Sequence, residues 1–390
     1  MEVTGRMRKV IFICYMPLTQ KRVNDFYIDA LLNVGFHVEY WDITDLYSRH
    51  IAFTGEIKKD YVKKVKTYED LRGRIAGQDN NETFYVIMIG LDGDTIRLYR
   101  ILTLYNCLLL FFARGFLPNF SQKGLMVDSF KKLLHYIVNY REMPLYFRSK
   151  LVPVYKAFGL IKTYDIVFAA GSVAFAAHKD APCLVPIHYF DYDDYLLSRC
   201  REEHLIPGDY CVYLDDNVVY DSDFLMQNKK TLSPDKYYEA INRFFLLIEE
   251  KFKVSVIIAA HPKSIYKRSE FGERKIIWNK TNELTRECKF ALTHFSSSVA
   301  YPISYKKPIV FMHTEEMKHQ KYFAIIKSMS NHLDASLVNI DSLNGFEDEK
   351  TFSIRPVNEK RYDDYIYSYL ASKDAGNRLS KDIVVDFLSR

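Results

Sequence analysis

A chain of 390 residues exceeds what one ordinary hydrophobic core supports, so two domains of about 150 to 200 residues each are expected. Its composition, 48% hydrophobic and 26% charged, is that of a folded protein and leaves little room for disorder. A formal charge of +5 without a basic tract argues against a nucleic-acid partner and leaves an anionic small molecule or a membrane surface as candidates.

The opening residues "MEVTGRMRKVIFICYMPL" put basic side chains before an apolar run, but the run turns polar at Thr19 and Gln20 and reads as a strand rather than a signal peptide. A strand over 8–15 leads to a helix over 20–34, whose Val23, Phe26, Tyr27, Ala30, Leu31 and Val34 keep a helical period closed by Gly35. The strand "FHVEYWDI" completes a β-α-β unit. The runs "TFYVIMIG", ending at Gly90, and "YDIVFAAG", ending at Gly171, read as strands of a parallel sheet, with helices expected around 97–113 and 126–140. The most apolar stretch, "ILTLYNCLLLFFA" from Ile101, ends at Arg114, short of the roughly 20 residues that cross a bilayer. It reads as a buried helix, with peripheral contact at the cytoplasmic face of the inner membrane as the other candidate.

A second series follows "LLSRCREEHLIPGD". It runs from the strand "YCVYLDD" to a helix capped by Ser233 with Pro234 at its first position, then the strand "VSVIIAAHP". The short helix "NELTREC", the strand "FALTHF", the turn and helix "SSSVAYPISY" and the strand "KPIVFM" come next. "EKRYDDYIYSYLA" and "SKDIVVDFLSR" read as closing helices. The fold class is therefore α/β with two Rossmann-like domains: 1–195, a linker over 196–208, a second domain over 209–350, and helices over 351–390 packing across the junction. The six cysteines are scattered without a CxxC pair, as in a reduced cytosolic protein lacking a disulfide framework or zinc site.

Ligands of open parallel sheets bind at the carboxyl ends of strands, and three strand ends here are polar. Asp215 and Asp216 end one, where a carboxylate can serve as general base or simply as a solvated turn. His261, Pro262 and Lys263 end another, an imidazole and a cation for a phosphate, although a lone histidine there is commonly structural. Ser296, Ser297 and Ser298 end a third, supplying hydroxyls and unpaired N–H groups for an anion, although a helix cap accounts for one serine. Asp191/Asp193 and Asp221/Asp223 match D-x-D, a pattern short enough to arise by chance, so no metal site is assigned. No G-x-G-x-x-G, G-x-x-x-x-G-K-[ST] or H-E-x-x-H is present, which removes the simplest oxidoreductase, P-loop and zinc-protease readings.

The order "LDD", "AAHPK", "THFSSS" and "YKKPIVF" over roughly 210–312 resembles the second domain of GT-B glycosyltransferases that use CMP-activated sugars, the bacterial sialyltransferases and Kdo transferases of capsule and lipopolysaccharide assembly. The resemblance implies a GT-B fold, two Rossmann-like domains facing a central cleft, the first on the acceptor side and the second on the donor side. It implies Asp215 as base with Asp216 as its competitor, His261 on the donor phosphate and able to act as acid, and Ser296 to Ser298 holding that phosphate. Lys263 is assigned to a sugar carboxylate or the phosphate, and Glu283 to the position of a nucleotide ribose. The expected activity is inverting, metal-independent transfer of a CMP-activated ulosonic acid to a glycan or glycolipid acceptor, with no cofactor besides the donor. Asn217 departs from the family, which often places glycine after the two acids. A UDP-sugar, GDP-sugar or CDP-glycerol donor is the alternative enzyme reading, and a non-catalytic glycan-binding protein the alternative outside catalysis.

Overall fold

The computed structural model describes residues 9–47, 55–116, 118, 143–201, 204–220, 232–262, 264, 266, 270–319, 321–342 and 352–390. The chain forms two compact units, Met1–Arg114 with Ser121–Ile187 and Asp374–Arg390, and Gly115–Phe120 with His188–Lys373. The segment 196–208 thus falls inside the second unit, and the C-terminal residues divide between the two at Lys373.

The first unit holds the strands β1 (Lys9–Cys14), β2 (His37–Asp42), β3 (Val62–Lys64), β4 (Thr83–Ile87), β5 (Leu108–Ala113), β6 (Ile166–Ala170) and β7 (Cys183–Ile187). They form one parallel sheet in the order β3-β2-β1-β4-β5-β6-β7. β1 and β6 are buried along almost their whole length, because helices cover both faces of a parallel sheet and its inner strands become continuous apolar runs. β7 carries Pro186, which its place at the sheet edge tolerates.

Two expectations are corrected here. The helix over 20–34 is two helices, Gln20–Asp25 and Ile28–Asn33, parted where Tyr27 takes a left-handed φ of 57°. The Arg114 guanidinium holds that break, donating to the Asp25 carbonyl at 2.7 Å and to the Tyr27 hydroxyl at 2.9 Å. The helix over 97–113 ends at Leu104; Asn106 turns the chain at φ 49°, and "LLLFFA" becomes the strand β5. A short apolar run does not distinguish buried helix from buried strand by periodicity. Ile101, Leu102, Leu109, Leu110 and Phe112 are consequently buried, while Leu104 at the helix end is exposed. The helix expected over 126–140 lies outside the described residues. No helix among the described residues is long and apolar enough to cross a membrane.

The second unit holds β8 (Tyr210–Leu214), β9 (Ser255–Ala259), β10 (Ile276–Ile277), β11 (Ala291–Thr293), β12 (Ile309–His313) and β13 (Ser336–Asn339), parallel in the order β10-β9-β8-β11-β12-β13. The helix Phe190–Ser198 belongs to this unit: Asn282 Nδ2 donates to the Asp194 carbonyl at 2.9 Å, and the Tyr301 hydroxyl to the Asp194 carboxylate at 3.1 Å. In both sheets the order reverses once, beside β1 and β4 in the first and beside β8 and β11 in the second, and such a reversal opens a crevice at the carboxyl edge.

The helix Pro234–Phe252 buries Tyr237, Ala240, Ile241, Phe244, Phe245 and Ile248 on the second sheet. The Phe245 ring meets Tyr213 at 5.3 Å and Phe271 at 6.3 Å and is fully buried. Phe245→Ala is expected to cost about 3 to 5 kcal/mol, measured by urea unfolding; a loss under about 1 kcal/mol would contradict this packing.

Candidate active site

Strand register decides which residues meet. Leu214 of β8 lies opposite Ala259 of β9 and Thr293 of β11, and Thr293 opposite Phe311 of β12. The residues after them, Asp215 and Asp216, the His261 turn, and His294 to Ser298, therefore stand side by side along one edge, with Asp215 and His294 on either side of the order reversal. Three of the strand ends marked in the sequence thus occupy neighbouring places in one sheet.

Asp215 is 7% exposed and both its oxygens accept hydrogen bonds. Oδ1 takes the Asn217 N–H at 3.1 Å and lies 3.4 Å from the Tyr213 hydroxyl; Oδ2 takes the Tyr266 hydroxyl and, at 3.4 Å, that of Ser264. Tyr266 in turn accepts the His261 backbone N–H at 3.0 Å. One phenol thereby ties the acid after β8 to the His-Pro turn after β9.

Asp216 faces the other way, across the order reversal, and its Oδ2 accepts the Phe295 N–H at 2.7 Å. The residue keeps some exposed surface, yet Oδ1 is enclosed and has no hydrogen-bond partner. Enclosure pushes its pKa well above the usual carboxylate range; the Phe295 bond works against that rise and Asp215 adds to it. Enclosure thus favours the protonated form of Asp216, against hydrogen bonds from Phe295, Thr293 and His294 that favour the charged one, and its second oxygen lacks a partner. The adjacent carboxyls are not equivalent: Asp215 is hydrogen-bonded through both oxygens and Asp216 through one.

Beneath them runs a buried relay. His294 Nδ1 lies 2.7 Å from the Met312 carbonyl, which only accepts, so Nδ1 carries the proton. Nε2 is then the acceptor for the Tyr237 hydroxyl at 2.9 Å, and Tyr237 accepts from Tyr213 at 2.9 Å. Burial lowers the His294 pKa to about 4 and keeps the ring neutral, as that direction of protons requires. Tyr213, Tyr237, Tyr266 and His294 have no site role in the sequence reading. His294 stands within the motif "THFSSS" and Tyr266 three residues after "AAHPK", and the tyrosines look like core aromatics.

Asn217 adopts φ 54°, a left-handed conformation that glycine takes freely and asparagine tolerates. The departure from the family's glycine is thus met by the next residue type able to make the same turn, with its N–H aimed at Asp215.

Ser296 caps a short 3-10 turn, Ser297–Val299, its Oγ accepting the Ser298 N–H at 3.3 Å. Ser297 is exposed and Ser298 half-buried. His261 is half-buried and Pro262 exposed, while Lys263 lies outside the described residues. Glu283 sits in the first turn of the helix Thr281–Glu287, which follows β10 at the same edge, and pairs with Lys280 at 2.8 Å. Asp191 and Asp193 lie on the helix Phe190–Ser198 rather than on a strand-end turn; Asp221 and Asp223 lie outside the described residues. Among the described residues no group of three His, Cys, Asp or Glu is placed to hold a metal. A recess of about 480 Å³ opens at the same edge, lined by Lys236, Tyr237, Arg243, Thr314, Glu316 and Asp341. Tyr237 thus joins the relay to this recess.

No family model matches the chain, and no curated protein matches it. Solved structures do. The calicheamicin glycosyltransferase CalG4 is similar at 12% identity over 99% of each chain, with a TM-score of 0.52. The glycosyltransferase SnogD of Streptomyces nogalater matches at 11% identity over 98% of each chain with a TM-score of 0.46. A UDP-GlcNAc 2-epimerase of Methanocaldococcus jannaschii, solved with UDP-GlcNAc and UDP, matches at 14% identity over 91% of this chain and 96% of the other, with a TM-score of 0.41. The likeness to CalG4 shows the fold, and the other two are too distant to carry an argument. Two Rossmann-like units with parallel sheets, in the GT-B manner, are the architecture of this chain.

Two results check the site. Asn217→Gly should change stability by a few tenths of a kcal/mol at most, whereas Asn217→Ala should cost about 1 kcal/mol in urea unfolding; equal losses would deny the left-handed turn. The pH dependence has two arms. A histidine held neutral contributes stability that is present above the unfolded value of about 6.5 and lost toward about 4, so His294→Gln should flatten that acid limb. A carboxyl held protonated loses stability as pH rises above the roughly 4 at which the unfolded chain ionises. The advantage of Asp216→Asn over the parent in thermal unfolding should therefore grow with rising pH; an advantage that shrinks would overturn the raised pKa of Asp216.

Proposed function

We propose that this protein is a GT-B glycosyltransferase that takes a nucleotide-activated sugar at the carboxyl edge of its second sheet and transfers the sugar to a hydroxyl acceptor. The observation that carries the reading is the pairing of a hydrogen-bonded acid, Asp215, with two anion-competent turns on the neighbouring strand ends. Asp215 removes the acceptor proton, the acceptor oxygen forms its bond to the anomeric carbon, and the bond from that carbon to the phosphate oxygen breaks with inversion. His261 and the turn Ser296–Ser298 receive the charge that develops on the leaving phosphate. The recess beside Tyr237, with both carboxylates and cations, takes the hydroxyl-rich part of the donor.

The donor is a nucleoside diphosphate sugar in this account, in place of the CMP-activated ulosonic acid that the motif resemblance implies. β9 and β11 flank β8, so their turns stand about 10 Å apart, a span suited to a diphosphate held at both ends. The similar structures lend the CMP-sugar no support. The CMP-sugar reading rests on the order of three short motifs.

Thermal unfolding with UDP, GDP, CDP and CMP, each with and without magnesium, separates the readings, because a ligand of the folded state raises the midpoint by mass action. A diphosphate should raise it. A rise with CMP alone would restore the ulosonic acid donor, and no rise with any nucleotide would favour the glycan-binding alternative. With the stabilising nucleotide in hand, Asp215→Asn should keep that rise and lower hydrolysis of the matching nucleotide sugar at least about 100-fold; unchanged hydrolysis would remove Asp215 as base.

A further inference from the structure

Among the described residues twelve large apolar side chains are exposed; of these, Leu104 and Leu160 line one recess, and Leu151, Val154 and Phe158 lie along and just past the helix Met143–Ala157, whose Tyr155 meets Arg100 of that recess. Leu151, Val154 and Phe158 follow the spacing i, i+3, i+7 along the helix Met143–Ala157 and its first residue beyond, which sets them in one stripe. Phe158 is 76% exposed and Leu104 69%. Such a stripe on a helix usually faces a core; here it faces solvent. Contiguous exposed apolar surface of this kind marks a binding face.

The surroundings are basic. Leu104 and Leu160 share a recess of about 450 Å³ with Arg72, Arg97 and Arg100. Arg97 pairs with Glu69 at 3.2 Å, while Arg100 lies over the Tyr155 ring at 5.5 Å and Arg72 has no partner among the described residues. Residues 143–164 carry Arg148, Lys150, Lys156 and Lys162 and no acidic residue. Asp94 and Asp165 offset Arg148 and Lys162 in part.

We propose that this face of the first unit, the stripe Leu151, Val154 and Phe158 with Leu104, Leu160 and the adjoining Arg72 and Arg100, docks on a lipid bilayer bearing anionic headgroups. A soluble anion would use the arginines and leave the stripe in water. A bilayer takes both, receiving the apolar side chains at the level of its acyl boundary while its headgroups meet the cations, and it demands no shape complementarity. Of the run from Ile101 to Ala113 only Leu104 takes part in the contact; Ile101, Leu102, Leu109, Leu110 and Phe112 are interior.

Co-sedimentation of the full chain with vesicles of phosphatidylcholine alone and of equal parts phosphatidylcholine and phosphatidylglycerol tests the proposal. Binding should need the anionic lipid and weaken with salt. The double variant Arg72→Ala with Arg100→Ala should bind on the order of thirtyfold more weakly, and Phe158→Ser about tenfold or more. Circular dichroism and the nucleotide-induced rise in unfolding midpoint should be unchanged in both variants, which separates failure here from failure of the functional reading. Each of these outcomes would overturn it: no binding to the anionic vesicles, binding indifferent to the variants, inorganic phosphate binding to the arginines that vesicles do not compete with, or a dimer abolished by Phe158→Ser. Slow hydrogen exchange of residues 148–158 in lipid-free protein, unaltered by vesicles, would show the face covered by the chain itself and would also overturn it.

Discussion

The register of one parallel sheet is the constraint on which the rest depends. Because Leu214, Ala259 and Thr293 are matched across β9, β8 and β11, the first residue after each strand arrives at the same edge. The bond from the Phe295 N–H to Asp216 then closes the place where the strand order reverses. A slip of one residue in β8 would turn its side chains to the opposite face and send Asp215 and Asp216 away from their present partners.

The edge is held rigid from below. Tyr213, Tyr237 and His294 form a line of hydrogen bonds inside the core, ending on the Met312 carbonyl. Each member is satisfied, and a satisfied buried network of this kind fixes side-chain positions. The two acids above it sort into one hydrogen-bonded through both oxygens and one enclosed carboxyl whose pKa is pushed up, and their environments rather than their chemistry make the difference. Tyr266 extends the same order to the His261 turn, so a shift of that turn would be felt at Asp215.

Much of this edge was legible in the sequence because strand ends announce themselves: an apolar run stops, and Asp215, His261 or Ser296 follows. The adjacency of Asp215 and His261 follows from the simple β-α-β succession, whereas that of Asp215 and Ser296 needs the order reversal that sets β11 beside β8. The relay was not legible, since Tyr213 and His294 belong to apolar runs and Tyr237 to an amphipathic helix, where an aromatic or a histidine is normally packing. Helix and strand were confused over 97–113, where "CLLLFFA" suits either and only Asn106 marks the turn. Exposure was hidden too. Leu151, Val154 and Phe158 have the spacing of a core stripe, and periodicity says that residues share a face without saying what that face meets.

Both sheets reverse their strand order once, but among the described residues the paired acids stand only in the second unit, which gives the two units different work in this account. Hydrogen–deuterium exchange with and without saturating UDP tests that division most directly. The account predicts slowed exchange at residues 215–217, 260–262 and 294–299, the strand ends of the second sheet. Slowed exchange confined to the first unit, or none anywhere, would contradict it.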